Sequence, residues 1–173
     1  MLKTLTPQAA LRAAILAAVL ALGGAAMPAL AQQSNIAFGG LKQDTSLPVT
    51  LDADSLAINN ANGSALFTGN VIVSQGEMRL TAGEVKVEYA PDGGGIKTLH
   101  ATGGVTLISA TDAAEAREAI YTIDTGNVVM TGDVLLTQGQ SAISGQKLVL
   151  NLEAGTGAME GRVQTVFSPG VKE

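Results

Sequence analysis

The chain has 173 residues, with 15 acidic and 10 basic side chains, no cysteine or tryptophan, two tyrosines and three phenylalanines. The lack of cysteine excludes disulfides, thiol catalysis and cysteine-ligated metal sites. The acidic excess argues against nucleic acid as a partner, because phosphate binding needs clustered lysine and arginine. With so few aromatic side chains, the interior must consist of Val, Leu, Ile, Ala and Met.

The first 31 residues have the features of a secretory signal peptide. Lys3 and Arg12 supply positive charge, residues 13–22 form a short apolar run, and the small-residue pattern Ala-Leu-Ala follows at 29–31. We expect cleavage after Ala31, since signal peptidases recognise such a pattern. The apolar run is shorter than the roughly 20 residues of a membrane-spanning helix. The alternative is an N-terminal anchor that is retained.

Cleavage would leave a chain of the size of one ordinary domain. Residues 32–47 are polar with little periodicity, and we predict a flexible N-terminal arm there that could end in a first edge strand. Residues 48–168 carry an alternating apolar pattern and are predicted to form one β domain. Residues 169–173 are predicted to be a C-terminal tail.

A segment recurs along this domain. Each copy begins with Thr-Gly-x-Val, at 68–71, 102–105 and 131–134, and a partial copy closes the chain. Self-similarity at a fixed spacing indicates one structural unit used repeatedly. Intervals of 34, 29 and 29 residues separate the repeat glycines, and an inserted turn at 91–95 explains the longer first interval. These glycines are Gly69, Gly103, Gly132 and Gly161.

Within each copy, apolar side chains recur in steps of two, as in Val71/Val73 and Val85/Val87. Two is the side-chain period of a half-buried strand. Odd steps between successive sets indicate a turn or bulge that changes which face points inward. Residues 112–119 have a helical composition, but their register with the other copies favours strands. The sequence therefore predicts roughly a dozen short strands joined by tight turns.

The repeated motif resembles the OstA-like family. The resemblance rests on LDADSL at 51–56, LFTGNV at 66–71 and VMTGDV at 129–134, and it extends over nearly the whole predicted domain. A cleaved signal peptide and a single domain are most similar to the soluble periplasmic members. The resemblance implies an all-β fold, a β-jellyroll of two facing antiparallel sheets with an open hydrophobic groove.

The resemblance also implies a function, which is binding lipopolysaccharide and carrying it across the periplasm. The acyl chains of lipid A would lie between the sheets, with no cofactor and no metal. The implied partners are an LptC-like protein at the inner membrane, an LptD-like protein at the outer membrane and further copies of the chain in a head-to-tail homo-oligomer. Such partners would join by pairing strand edges through main-chain hydrogen bonds.

The alternation and the resemblance together predict the residues of the groove and of the partner edges. The edge residues are Val49 and Leu51 at the N-terminal side and Val163, Thr165 and Phe167 at the C-terminal side. The groove residues are aliphatic with one tyrosine: Val71, Val73, Val85, Val87, Val105, Leu107, Tyr121, Ile123, Val134, Leu136, Ile143, Leu148 and Leu150.

The sequence also bears on two other classes of function, catalysis and a structural scaffold. Catalysis is not favoured, because His100 is the only histidine and belongs to no triad pattern. Asp52 and Asp54 form a carboxylate pair, but the later copies lack acids at matching positions and a solvated turn explains them. A non-catalytic β-helix scaffold or adhesin is the remaining alternative, because a repeat of about 29 residues could also stack as coils.

Overall fold

A computed structural model describes residues 34–37, 42–91, 95–110 and 112–167. Within these ranges the chain is built from β-strands, with one 3-10 turn at Ile123–Thr125, and no helix there is long and apolar enough to cross a bilayer. The strands are β1 Ser34–Ala37, β2 Thr50–Asp52, β3 Ser55–Asn59, β4 Ser64–Gln75, β5 Met78–Tyr89, β6 Ile96–Thr102, β7 Val105–Ser109, β8 Asp112–Ala116, β9 Glu118–Thr122, β10 Asn127–Gln138, β11 Ser141–Asn151, β12 Thr156–Glu160 and β13 Gln164–Phe167.

The burial of the strand residues follows the alternation that the sequence predicts. In β7 and in the last part of β11, buried and less buried residues alternate strictly. Residues 112–119 form β8 and the start of β9, as their register with the other copies predicted. Their helical propensity is overridden because Ala114 and Ala119 are buried at inward positions of the sheet.

All strand pairs are antiparallel, and hydrogen bonding links them into one 13-stranded sheet. The β-helix alternative, which requires parallel coils, does not fit this pairing. Four long strands, β4, β5, β10 and β11, each take different partners along their two parts. The sheet therefore consists of two halves that share these four strands.

Half-sheet I contains β3, β6, β9, β12 and β1 together with residues 64–68, 84–89, 127–131 and 147–151 of the long strands. Half-sheet II contains β2, β7, β8 and β13 together with residues 71–75, 78–81, 134–138 and 141–144. The Tyr121 hydroxyl of half-sheet I donates a 2.6 Å hydrogen bond to Gln75 of half-sheet II. The two halves therefore face each other, as the predicted jellyroll required.

The repeat glycines lie where the chain passes from one half to the other. Gly69, Gly103, Gly132 and Gly161 have φ values of 80°, 83°, 86° and 82°. Such values favour glycine, which has no Cβ to clash. The ladders of β4–β5 and β10–β11 shift register beside Gly69 and Gly132. The line of bends formed by these residues is called the seam below.

Backbone hydrogen bonding continues across the seam. The Arg117 amide donates to the carbonyls of Thr131 and Gly132 at 3.1 and 3.0 Å, and the Asp54 amide donates to the Gly69 carbonyl at 2.9 Å. The Arg117 guanidinium pairs with Asp133, although both side chains are mostly exposed. The two halves are thus hinged along a hydrogen-bonded edge, and their other ends lie on the opposite, free side.

The segment predicted as a flexible arm, 32–47, is structured in part. Ser34–Ala37 forms β1, which pairs with β12, and residues 42–47 make hydrogen bonds to both halves of the sheet. The prediction missed this because a strand that covers an exposed edge is selected by that edge rather than by its own periodicity. The predicted signal peptide, 1–31, and the tail, 169–173, lie outside the described residues.

Candidate functional site

The inward faces of the two half-sheets form one hydrophobic cluster. It is aliphatic, apart from Tyr121 and the partly buried Phe67 at its margin. Twelve of the thirteen predicted groove residues belong to it, with exposures of at most 5 %. They are Val85, Val87, Tyr121, Leu148 and Leu150 on half-sheet I, and Val71, Val73, Val105, Leu107, Val134, Leu136 and Ile143 on half-sheet II.

Ile123 is placed differently. It begins the 3-10 turn Ile123–Thr125, which follows β9, and it is only partly buried against the cluster. The alternation predicted an inward position after Tyr121, but the strand ends at Thr122 because Gly126 closes the turn with φ 62°.

Several inward residues were absent from the predicted set. Leu99, Met130, Leu152 and Met159 are fully buried or nearly so and belong to the same cluster. Their signal was present, since Leu148, Leu150 and Leu152 continue one series of steps of two. Met130 and Met159 carry flexible side chains that adapt to irregular space.

One polar group of side chains interrupts the aliphatic interior at the free end of half-sheet II. Gln75, Ser109 and Asp112 are at most 1 % exposed. Gln75 accepts the Tyr121 hydrogen bond through Oε1 and donates through Nε2 to the carbonyls of Thr45 and Leu47, each at 2.9 Å. The buried amide is thereby satisfied on both of its ends.

Burial raises the pKa of Tyr121 to about 12, and the negative charge of Glu153 acts in the same direction. The phenol is therefore neutral at physiological pH and acts as a hydrogen-bond donor between the two halves.

Residues 42–48, which we call the strap, cross the free side between the halves. The backbone amide of Gln43 donates to the Leu152 carbonyl at 2.9 Å, and the side-chain amide of Gln43 donates to the Ser109 hydroxyl at 2.5 Å. Leu152 follows the end of half-sheet I, whereas Ser109 ends β7 of half-sheet II. The resemblance implied an open groove, but in the described structure the strap covers this side and the predicted groove residues are withdrawn from solvent.

The predicted partner edges lie at the two ends of the sheet. Val49 is half-buried just before β2, and Leu51 pairs with Val73 of β4. Thr165 and Phe167 lie in β13, where they face Ile143 and Ser141 of β11, and Val163 immediately precedes this strand. In the described residues β2, β3 and β13 each pair on one side only.

Exposed apolar side chains accompany these edges. Leu56 and Ile58 of β3 are 51 % and 66 % exposed, and Val166 and Phe167 of β13 are 64 % and 74 % exposed. Edge strands of monomeric proteins usually carry charges that discourage pairing. Here both terminal edges present unpaired backbone groups beside apolar side chains.

The residues considered for catalysis are dispersed. His100 lies in β6 with its Nε2 3.6 Å from Glu118, and Asp52 and Asp54 are exposed at the corner between β2 and β3. The Asp54 carboxylate accepts a 2.8 Å hydrogen bond from the side-chain amide of Asn70. Among the described residues no group of three or more potential ligand side chains could hold a metal ion.

The fold and its interior define a class of protein: a bent antiparallel sheet that closes over an aliphatic interior and leaves strand edges unpaired at both ends. A family model described as "LptA/(LptD N-terminal domain) LPS transport protein" matches residues 50–156. The chain belongs to this family, which confirms the resemblance to the OstA-like proteins.

Individual relatives agree with this assignment. An uncharacterized protein of Rhizobium meliloti (strain 1021) is 30 % identical over 176 residues, which cover 94 % of this chain and 95 % of that protein. The lipopolysaccharide export system protein LptA of Escherichia coli (strain K12) is 29 % identical over 111 residues, 61 % of this chain and 60 % of LptA.

A solved structure shows the same fold. It is the crystal structure of LptH from Pseudomonas aeruginosa, the LptA-homologous periplasmic component of its lipopolysaccharide transport device. It matches with a TM-score of 0.66 and 19 % sequence identity, over 73 % of this chain and 99 % of that chain. This likeness confirms the predicted β-jellyroll.

Proposed function

We propose that this chain is a periplasmic carrier that binds lipopolysaccharide and forms part of a bridge from the inner to the outer membrane. The observation that carries the proposal is the continuous aliphatic interior between two facing half-sheets, in a member of a lipopolysaccharide transport family. The names of LptA and LptH, which describe lipopolysaccharide export and transport, support the same substrate.

The interior suits acyl chains because its walls are aliphatic. Each methylene transferred from water to such surroundings gains about 0.8 kcal/mol. A lipid with several long chains would gain enough to offset the loss of translational and rotational freedom on binding. Because the walls are already buried, the two halves must separate on the free side to admit the chains, and the seam is the natural hinge.

No catalytic group is needed for this activity. The groove residues named above act by contact, and their binding role is part of the proposal. The polar head of the lipid would remain on the free side, since the seam opposite is closed by backbone hydrogen bonds.

The partner edges give the proposed bridge its continuity. Backbone groups of β2 and β3 at one end, and of β13 at the other, would pair with an LptC-like protein, an LptD-like protein or a further copy of this chain. We assign the N-terminal edge, with Val49 and Leu51, to the inner-membrane side. The C-terminal edge, with Val163, Thr165 and Phe167, is assigned to the outer-membrane side.

Site-specific photo-crosslinking tests the proposal. A photoreactive amino acid would replace Val73, Leu107 or Leu136 in turn, with the exposed Lys97 as the outward control. After incubation with purified lipopolysaccharide and irradiation, we expect adducts at the three inward positions and none at Lys97. Adducts at Lys97 alone, or at no position in a folded protein, would overturn the proposal.

A further inference from the structure

We infer that the strap, residues 42–48, is a displaceable cover over the lipid entrance, and that lipopolysaccharide enters only when the strap leaves the free side. The inference rests on the proposed function and adds a gate to it. It is carried by the route of the strap, by the kind of contacts that hold it and by the buried side chains beneath it.

The route of the strap follows from the strand pairing. β1 lies at the outer edge of half-sheet I, where it pairs with β12, and β2 lies at the outer edge of half-sheet II, where it pairs with β4. The strap precedes β2 and contacts both halves at their free ends. It therefore crosses the side of the described sheet that lies opposite the seam.

The contacts on half-sheet I are made to the turn after β11. The Gln43 amide donates to the Leu152 carbonyl at 2.9 Å, and the Thr45 hydroxyl donates to Glu153 Oε1 at 2.8 Å. Gly126 lies beneath the strap as well, since a Cβ built on it would be 3.2 Å from Cγ2 of Thr45.

The contacts on half-sheet II are made to buried polar side chains. Gln75 donates to the carbonyls of Thr45 and Leu47, and Ser109 accepts from the Gln43 side chain. Both Gln75 and Ser109 point inward, at positions where the rest of the interior is aliphatic. Buried polar groups require hydrogen-bond partners, and in the described structure the strap supplies them to Gln75 and Ser109.

The strap is held by hydrogen bonds rather than by apolar packing. Its apolar side chain Leu47 is 41 % exposed, and most other residues of the segment are exposed too. Asp44 accepts hydrogen bonds from the amide and hydroxyl of Ser46, so the strap carries its own turn and can move as a unit. Water can replace each of its contacts once it lifts, which makes release reversible.

Release of the strap would uncover the interior and free the two N–H groups on Nε2 of Gln75. These donors already bind two carbonyl groups, those of Thr45 and Leu47. The ester and amide carbonyls at the base of acyl chains present the same acceptor chemistry. The strap thus occupies the place in which the lipid's acyl linkages would lie.

A reversible tether tests the inference. The chain has no cysteine, so a Thr45→Cys/Gly126→Cys pair would form a unique disulfide. A Cβ built on Gly126 lies 3.2 Å from Cγ2 of Thr45, which is a γ position like that of a cysteine sulfur. Uptake of fluorescently labelled lipopolysaccharide would be followed by gel filtration in the oxidised and reduced states. We expect uptake to slow at least tenfold on oxidation and to recover on reduction.

The matched control is a Thr137→Cys/Ala142→Cys pair, which joins directly opposed residues of β10 and β11 away from the strap. Its oxidation should leave uptake unchanged. Equal uptake by the oxidised and reduced strap variants would overturn the strap's role while leaving the carrier intact. Absence of uptake by wild-type and reduced proteins alike would overturn the proposed function and the gate together.

A second pair of variants keeps the test independent of the tether. Gln43→Ala removes the side-chain hydrogen bond to Ser109 and should speed uptake several-fold. Lys42→Ala, at the neighbouring exposed residue, should have no effect. A Gln43→Ala protein that takes up lipid at the wild-type rate would count against the gate.

Discussion

Tyr121 shows how much one side chain contributes to holding the halves of this sheet together. It is among the largest fully buried residues, and its hydroxyl makes a direct hydrogen bond from one half to the other. The acceptor, Gln75, also holds the strap. Loss of the phenol would therefore leave a buried amide oxygen without its partner, and the closed state would weaken.

We predict that Tyr121→Phe lowers the free energy of unfolding by about 1–2 kcal/mol at neutral pH, as expected for a buried polar atom left unsatisfied. Urea unfolding measures this, with Tyr89→Phe, at a 44 % exposed site, as the control. The folded pKa of Tyr121 is raised from 10.0 to about 12. The contribution of the Tyr121 hydroxyl to the free energy of unfolding is thus complete below pH 10, and it is lost as the pH rises through 12. A difference that persists undiminished above pH 12 would contradict this assignment.

The seam depends on glycine at particular positions. Gly103 has φ 83°, and a Cβ built on it would lie 3.3 Å from the Cα of Gly83 on the adjacent strand. Both atoms belong to backbone, so neither can move without disturbing the ladder. Gly139, in the turn between β10 and β11, has φ 56° and open space around its Cβ position.

We predict that Gly103→Ala lowers the free energy of unfolding by about 2–3 kcal/mol, since backbone strain and a close approach add. Gly139→Ala should lower it by about 1 kcal/mol, because only the left-handed conformation is penalised. Thermal and urea unfolding of both variants make the comparison. Equal destabilisation would show that the close approach at the seam is of no consequence.

At the scale of single residues, much of the interior could be predicted from sequence. Pairs in steps of two, such as Val105 and Leu107, identify inward faces because the side chains of a strand alternate between its two faces. Ile123 could not be placed, since the end of a strand depends on the turn that follows. The buried amide of Gln75 could not be anticipated either, because its partners lie in distant parts of the chain.

At the scale of elements, the repeat predicted the strands better than local propensity did. β8 and β9 form from an alanine- and glutamate-rich segment because the neighbouring strands supply their partners. β1 and the strap escaped prediction for the complementary reason. Neither has a periodic pattern, and each is ordered by edges and rims that exist only in the folded protein.

The terminal edge strand β13 carries its own prediction. A Val166→Asp/Phe167→Asp protein should fold normally, since both side chains are more than 60 % exposed. The edge-to-edge association that the proposed bridge requires between copies should be at least tenfold weaker, because charge opposes pairing of an edge with a neighbouring edge. Sedimentation velocity over a concentration series measures the effect. Ile108→Asp, at a 44 % exposed site within the sheet, is the control; equal weakening by both changes would exclude β13 as the interface.

The bent sheet has one long side that is fixed by backbone hydrogen bonds and an opposite side that can open. Backbone hydrogen bonds close the seam, whereas the free side is held by the strap and by the Tyr121–Gln75 contact. Opening on one side would expose aliphatic walls to a lipid while the strands keep their partners. In the proposed bridge, edge strands at both ends would let neighbouring domains extend the same interior without a change in fold.

The central claim is that the interior holds acyl chains, and a comparison of two ligands by native mass spectrometry tests it most directly. The purified protein would be titrated with lipopolysaccharide and, in parallel, with the same lipopolysaccharide after chemical removal of its acyl chains. We predict a complex with the intact lipid and none with the deacylated form at the same concentration. Equal binding of the two ligands would show that the sugar or its phosphates are recognised outside the interior, and would contradict the account.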